Sequence, residues 1–378
     1  MTTLLSHRLS SLLLQDVTNA NRNGNGKNKN VAVAAKRATG VKTRSMSMER
    51  GASNATAGAR QQAALANYNN ALEERDPASS ARADGSNSNQ AIPLRRGAIN
   101  ADPNSYQMTG NMDNIDEREK DDPLCVTTYV EDMYNHFRDK EEQTSVRPVY
   151  MENQKHINER MRAILVDWLI EVHLKFKLVP DTLYLTINLI DRYLERMEVS
   201  RPKLQLVGVT CLLIASKYEE IFAPEVRDLV YICDRAYTRQ DIIEMEEKIL
   251  KTLEYQITVP SAHMFLVRFL KAGHADKKIV QLSCYLLDGT LQSYNLLQYL
   301  PSQLAAAAVF IARRTCGRNA WSPTLLRYAE YCEEEIIPVA RDLLDEKAAA
   351  NPELRAVTKK YTSHRYGGVA NITLLNDF

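Results

Sequence analysis

KLQLVGVTCLLIASK, residues 203–217, decides the fold, because it recurs in altered form at 301–315 as PSQLAAAAVFIARRT, 98 residues later. Two more segments repeat at nearly the same distance. NLIDRYL (188–194) matches YLLDGTL (285–291) at an offset of 97, and TRQDIIEMEEKIL (238–250) matches CEEEIIPVARDLL (332–344) at 94. Near-constant offsets predict a duplicated five-helix unit. The third helix is the most apolar in each copy, so it should be the buried centre. In the second copy Ala305 to Ala308 make that helix thin, which lets its neighbours approach closely.

Working outward, helical spacing predicts helices near 156–177, 181–197, 202–217, 225–233 and 238–253 in the first copy. The second copy should place them near 261–271, 276–295, 301–314, 322–330 and 333–349. One helix precedes both, with apolar residues at Val126, Tyr129, Val130, Met133, Tyr134 and Phe137. The punctuation is turn-like: Val179-Pro180-Asp181, where the Asp is expected to cap a helix, then Arg201-Pro202, Ala223-Pro224 and Val259-Pro260. No sustained alternation with period two supports a sheet, so the fold class is all-α.

The net charge of +1 conceals an asymmetry. Residues 1–100 carry 14 Lys or Arg against 6 Asp or Glu, whereas the rest carries 34 against 41. The basic stretch has one aromatic residue, Tyr68, and is rich in Asn, Ala, Ser and Gly. It holds too little apolar surface to offset its chain entropy, so residues 1–120 are expected to be a disordered basic arm. The two helical units are then expected over 121–257 and 258–378.

Six cysteines, Cys125, Cys211, Cys233, Cys284, Cys316 and Cys332, show no C-x-x-C or C-x-x-H spacing. They are read as unpaired thiols of an intracellular protein, and neither a metal site nor a cofactor is expected. No apolar run is long enough for a membrane span, and LSSLLLQDV near the start lacks the features of a signal peptide. A soluble protein with no membrane partner is the expectation.

At this point MRAILVDWLIEVH (161–173), PDTLYLTINLIDRYL (180–194), KLQLVGVTCLLIASKYEEIFAPEV (203–226) and MEEKILKTLEYQITVPSAHMFL (245–266) closely resemble the cyclin family, in particular its mitotic B-type members. The resemblance runs from about Leu124 to near the C-terminus. It implies two tandem five-helix cyclin boxes after one helix. It further implies a non-catalytic subunit that activates a cyclin-dependent serine/threonine kinase at the G2-to-mitosis step, in nucleus and cytoplasm.

By that resemblance, residues matching Lys217 and Glu246 hydrogen-bond the mobile helix of the kinase. Leu206 and Tyr218 belong to the apolar part of the contact, and Glu219 and Glu220 follow in the same run. A Lys offers only donors and a Glu only acceptors, so the pair suits a protruding helix end. From the pattern alone, Lys217 is better explained by the helix dipole and Glu246 by a solvated face.

MRAILVDWLIEVH raises a separate question. Met161, Ile164, Leu165 and Trp168 fall within about sixty degrees of one another on a helical wheel, while Val166 and Ile170 lie opposite. Pattern alone says that such a helix is buried all round. The resemblance assigns the first stripe, with Glu171 on its rim and Gln205 nearby, to docking of basic–leucine motifs in substrates and inhibitors. Arg162 and Asp191 are read as a structural pair, and His173 and His263 as satisfied histidines.

B-type cyclins carry a destruction box, R-x-x-L-x-x-x-x-N, that addresses them to a ubiquitin ligase. Ser11, Leu14 and Asn19 keep its spacing, but Ser replaces the Arg; Gln62, Leu65 and Asn70 do likewise. Lys36-Arg37 and Lys42-x-Arg44 form a thin basic cluster, which fits nuclear import or weak nucleic-acid contact but is more often merely solvated charge. Two other functions conflict with the sequence. A cyclin-fold scaffold of the transcription machinery would show zinc-ribbon cysteines and a basic body for nucleic acid, and this body is acidic. An enzyme would show a P-loop, G-x-G-x-x-G, G-x-S-x-G, H-E-x-x-H or a kinase signature, and none occurs.

Overall fold

A computed structural model describes residues 112–122 and 125–377. The expected Ser11–Leu14–Asn19 motif and most of the basic arm lie outside the described residues. Among the described residues there are twelve α-helices and no strand. In chain order they are α1 Val130–Thr144, α2 Glu159–Phe176, α3 Pro180–Arg196, α4 Leu204–Glu219, α5 Val226–Ile232, α6 Arg239–Thr252, α7 Ala262–Ala272, α8 Lys277–Thr290, α9 Pro301–Thr315, α10 Pro323–Ala329, α11 Glu333–Ala349 and α12 Ala356–Thr362.

The duplicated unit is present as α2–α6 and α7–α11, with α4 and α9 at the two centres. Every residue of α4 from Leu204 to Ser216 is buried. Helix α4 packs against α2, α3, α5 and α6, whereas α9 packs against α7, α8 and α11. Ala305 to Ala308 are fully buried, so the thin centre of the second unit is closely surrounded. In the first unit the close approach is made at Gly208. A methyl group there would stand 2.8 Å from Leu165 Cδ1, so α2 and α4 are in contact through the missing side chain.

Helix starts follow local chemistry. Asn158 accepts from the Met161 amide and begins α2, later than the expected 156. Thr238 and Asp241 form a reciprocal capping box at α6. The expected cap at Asp181 is not made. Val179 is the N-cap of α3 and carries no side-chain cap, with Pro180 at the first position. Asp181 instead accepts from Ser261 Oγ at 2.7 Å and faces His263 Nδ1 at 3.1 Å, across the joint between the units. Glu220 does the capping: its Oε1 accepts from the Val179 amide at 2.7 Å and from Thr182 Oγ1 at 2.6 Å.

Helix α1 begins later and ends later than its apolar spacing predicts. Val126 takes a left-handed φ of 49°, so the chain turns before Val130. Beyond Phe137 the helix is held by polar burial. Arg138 donates to the Ala329 carbonyl at 2.6 Å, and Glu141 accepts from the amide and hydroxyl of Ser302 at 2.9 and 2.7 Å. Helix α1 therefore rests on the second unit.

The two units are joined through a buried ion pair. Arg162 Nε and Nη2 donate to the two carboxylate oxygens of Asp191 at 2.6 and 2.7 Å, and Tyr150 donates to Asp191 at 2.7 Å. Arg162 Nη1 continues to the Leu291 carbonyl at 3.0 Å, in the second unit. Helix α12, which no apolar periodicity announced, clasps the other side. Asp167 accepts from the Ala356 amide at 2.7 Å, and Asp288 accepts from Tyr184, Lys360 and Tyr361 at 2.8, 2.7 and 2.9 Å. All six cysteines are unpaired.

Candidate functional site: an exposed rim and a buried shelf

Helix α4 emerges from its unit only in its last turn. There Lys217 Nζ donates to both carboxylate oxygens of Glu246 on α6, at 2.6 and 2.8 Å. The lysine is about half exposed and the glutamate mostly covered. Tyr218, half exposed, places its hydroxyl 2.5 Å from Thr258 Oγ1. Glu219 closes the helix. Burial pushes its carboxyl above the ordinary value, and the nearby Asp181 and Glu220 add to the effect.

The rim has an apolar component that the sequence reading missed. Ile221 and Phe222, directly after Glu220, are 76% and 74% exposed, and Tyr255, three residues before Thr258, is 64% exposed. Large side chains cost free energy when left in water, so adjoining ones mark an interaction surface. The signal lay in EEIFAPE, where two large apolar residues stand in a Pro-containing connection rather than on a helical face.

The structure does not bring Leu206 to this rim. It is 5% exposed and lies in the first turn of α4, about 16 Å along the helix from Lys217 at 1.5 Å per residue. Glu220 is turned inward onto α3, as described. Lys217, Tyr218, Glu219 and Glu246 remain as the polar part of the rim.

The expected docking stripe is not an open greasy face. Met161, Ile164, Leu165 and Trp168 are buried, as are Val166 and Ile170 opposite them. The all-round apolar pattern of α2 is answered by neighbours on every side: α3, α4 and α12. Glu171 lies 3.3 Å from Lys359 of α12. Two donors in this region stand out, however. Trp168 Nε1 and Gln205 Nε2 are buried and find no hydrogen-bond partner in the protein. A buried unsatisfied donor costs about 1–3 kcal/mol, so both would gain from an acceptor brought by a partner.

The two histidines differ. His173 donates from Nε2 to the Val179 carbonyl at 2.8 Å, and burial drops its pKa to about 4. Burial also works against charge on His263, but Asp181 outweighs it and holds the imidazole above its usual value. Among the described residues no group of His, Cys, Asp and Glu is arranged to hold a metal ion.

The geometry defines a two-unit all-helical protein with exposed charged and apolar side chains gathered at the end of α4. Residues 132–258 match the family model "Cyclin, N-terminal domain" and residues 260–375 match "Cyclin, C-terminal domain". The chain belongs to the cyclin family, and its similar relatives are B-type and G2/mitotic-specific cyclins. Cyclin-B2-1 of Oryza sativa subsp. japonica is 46% identical over 263 residues, covering 69% of this chain and 62% of that protein. G2/mitotic-specific cyclin-B of Spisula solidissima is 44% identical over 266 residues, 70% of this chain and 62% of the relative. G2/mitotic-specific cyclin-2 of Medicago sativa is 45% identical over 259 residues, 68% of this chain and 79% of the relative. The match thus spans about three fifths of the length of the first two. A viral cyclin from herpesvirus saimiri shares the fold, with a TM-score of 0.52 at 21% identity over 57% of this chain and 96% of that one.

Proposed function

We propose that this chain is the non-catalytic regulatory subunit of a cyclin-dependent serine/threonine kinase and acts in mitotic control. The observation that carries the reading is the bidentate Lys217–Glu246 pair set beside exposed Tyr218, Ile221, Phe222 and Tyr255. Such a rim offers a kinase helix donors, acceptors and apolar area on one rigid unit. A partner that fits only the active arrangement of the kinase shifts its population by the difference in affinity between the two states. The names of the relatives support the G2-to-mitosis setting.

The shelf around Trp168 and Gln205 is assigned to substrate docking. Its two unpartnered donors suit the carbonyls of an extended peptide, and a basic side chain of that peptide would take the place of Lys359 at Glu171. The arm is assigned to regulated destruction through Ser11, Leu14 and Asn19, and the protein to nucleus and cytoplasm. Deletion of residues 1–50 is expected to prolong the protein's lifetime at mitotic exit; an unchanged lifetime removes the assignment.

The test of the kinase assignment uses purified cyclin-dependent kinase and the full chain. Wild type is expected to raise turnover on a short peptide substrate. Lys217→Ala combined with Glu246→Ala is expected to weaken kinase binding by tenfold or more, about 1.4 kcal/mol, while thermal stability stays near that of wild type. A wild-type chain that binds no such kinase, or binds without raising turnover, overturns the proposal.

A further inference from the structure

Residues 113–119, just before α1, do not run over the surface as a linker does. They lie in a slot between α7 and α10 of the second unit, held contact by contact. Asp113 faces His274 Nε2 at 2.8 Å, and its amide and carbonyl meet Thr324 and Tyr328. Ile115 is buried, and its amide donates to the Tyr328 hydroxyl at 3.3 Å. Asp116 receives Arg268 on both oxygens, at 2.5 and 2.7 Å, and Lys271 on one at 3.0 Å. Lys271 also pairs with Glu119. The Arg268 guanidinium is flanked by the rings of Tyr134 at 5.1 Å and Tyr328 at 4.8 Å.

This is the vocabulary of peptide recognition. Two acids meet cations and a third meets a histidine, an aliphatic side chain enters the core, and a bidentate arginine is fixed between two aromatic faces. The slot is also larger than its occupant. A cavity of about 540 Å3 adjoins it, lined by the cations Lys120, Arg138, Arg268 and Arg327 and by the acids Asp116, Glu131 and Glu330. In the slot itself Arg268 and Lys271 stand against the segment, and these two cations favour an acidic occupant over a basic or neutral one.

We propose that Asp113–Glu119 is an intrachain stand-in, and that the α7–α10 slot is a docking site for a partner protein's acidic segment of the same pattern: acid, aliphatic, acid, acid. The tethered segment is present at high effective concentration, so it competes with any partner and sets a threshold for docking. Engagement of a partner releases the chain before α1 from the second unit.

The test uses the full chain and a labelled synthetic peptide of residues 112–122. Asp113→Asn, Asp116→Asn and Glu119→Gln together remove the charges of the segment with little change of shape. That variant is expected to bind the peptide about tenfold or more tighter than wild type, with affinity falling as salt rises. A peptide carrying the same three amide substitutions is expected not to bind, and Arg268→Gln in the variant is expected to abolish binding. Thermal unfolding reports that each chain is folded. If the triple variant does not fold, the Asp116→Asn chain, which keeps the backbone contacts, is read against the same outcomes. A folded variant that binds the peptide no better than wild type, or binds the amide peptide equally, overturns the proposal.

Discussion

Helices α4 and α9 descend from the same pattern and are put to opposite uses. Both fill the centre of a unit. Helix α4 then carries Lys217 out to a half-exposed pair with Glu246, beside Ile221 and Phe222. Helix α9 has Thr315 at the position that matches Lys217, and a cation of its last turn, Arg313, points inward. Arg313 is buried, donating Nε to the Asn319 carbonyl at 2.8 Å and Nη1 to the Gly273 carbonyl. Around the second unit gather α1, residues 113–119 and α12, each tied by buried polar contacts. One unit leaves charged and apolar side chains exposed at the end of its central helix, and the other organises the chain's own additions. Duplication gives two copies of a core, and the charges at the helix ends decide what each copy does.

The sharpest way to break this comparison is at the joint. Arg162→Ala leaves Asp191 buried without its partner, and such a loss costs about 3–5 kcal/mol. Chemical denaturation is expected to show that fall, with both units losing stability, because Arg162 also holds the Leu291 carbonyl. A loss confined to the first unit would mean that the units are independent.

Acid tests the burial of His173 in the first unit. The unfolded His173 imidazole takes its proton near pH 6.5, whereas the folded one resists until about 4. Between these values the unfolded chain binds the extra proton, so stability falls as pH falls, by up to about 3 kcal/mol. His263 has the opposite sign: Asp181 raises its pKa, so its contribution is full below the unfolded value and is lost as pH rises through the folded one. His173→Gln is expected to flatten the loss of melting temperature between pH 6.5 and 4. An unchanged slope would place the acid sensitivity elsewhere.

Gly208→Ala presses a methyl group onto Leu165 and is expected to cost about 1–3 kcal/mol by overpacking, read by thermal unfolding. Gly289 on α8 has open space around its missing side chain, so Gly289→Ala is expected to be neutral or slightly stabilising. Smallest in stability terms is Trp168→Phe. Trp168→Ala would open a cavity in the core, since the ring is only 4% exposed, and would confuse folding with docking. The phenylalanine keeps most of the packing and removes the unpartnered Nε1 donor. It is expected to spare activity on short peptides and to reduce phosphorylation of substrates with basic–leucine motifs; equal activity on both classes would mean that the indole donor has no docking role.

The helical units were legible because burial of a centre leaves a strong mark. KLQLVGVTCLLIASK and its partner at 301–315 are apolar on every face, and only a surrounded helix tolerates that. Arg162 and Asp191 were legible as a pair through the family resemblance. The all-round pattern of α2 was legible too, and it correctly pointed to burial of the Met161–Trp168 stripe. Helix α12 was not legible. AVTKKYT has little apolar periodicity, and its order comes from distant groups, Asp167 and Asp288. The anchoring of 113–119 was hidden for a similar reason. A run of acids reads as solvated until one sees that Arg268, Lys271 and His274, some 150 residues away, are aligned to meet it. Asp181 illustrates the same limit at a helix start, where local capping lost to a tertiary partner.

Hydrogen exchange on the full chain, alone and bound to a purified cyclin-dependent kinase, tests the division of labour between the units most directly. Protection on binding is expected at 217–222 and 246–258, with 313–319 at the end of α9 unchanged. Protection at the end of α9 with none at 217–222 would contradict it.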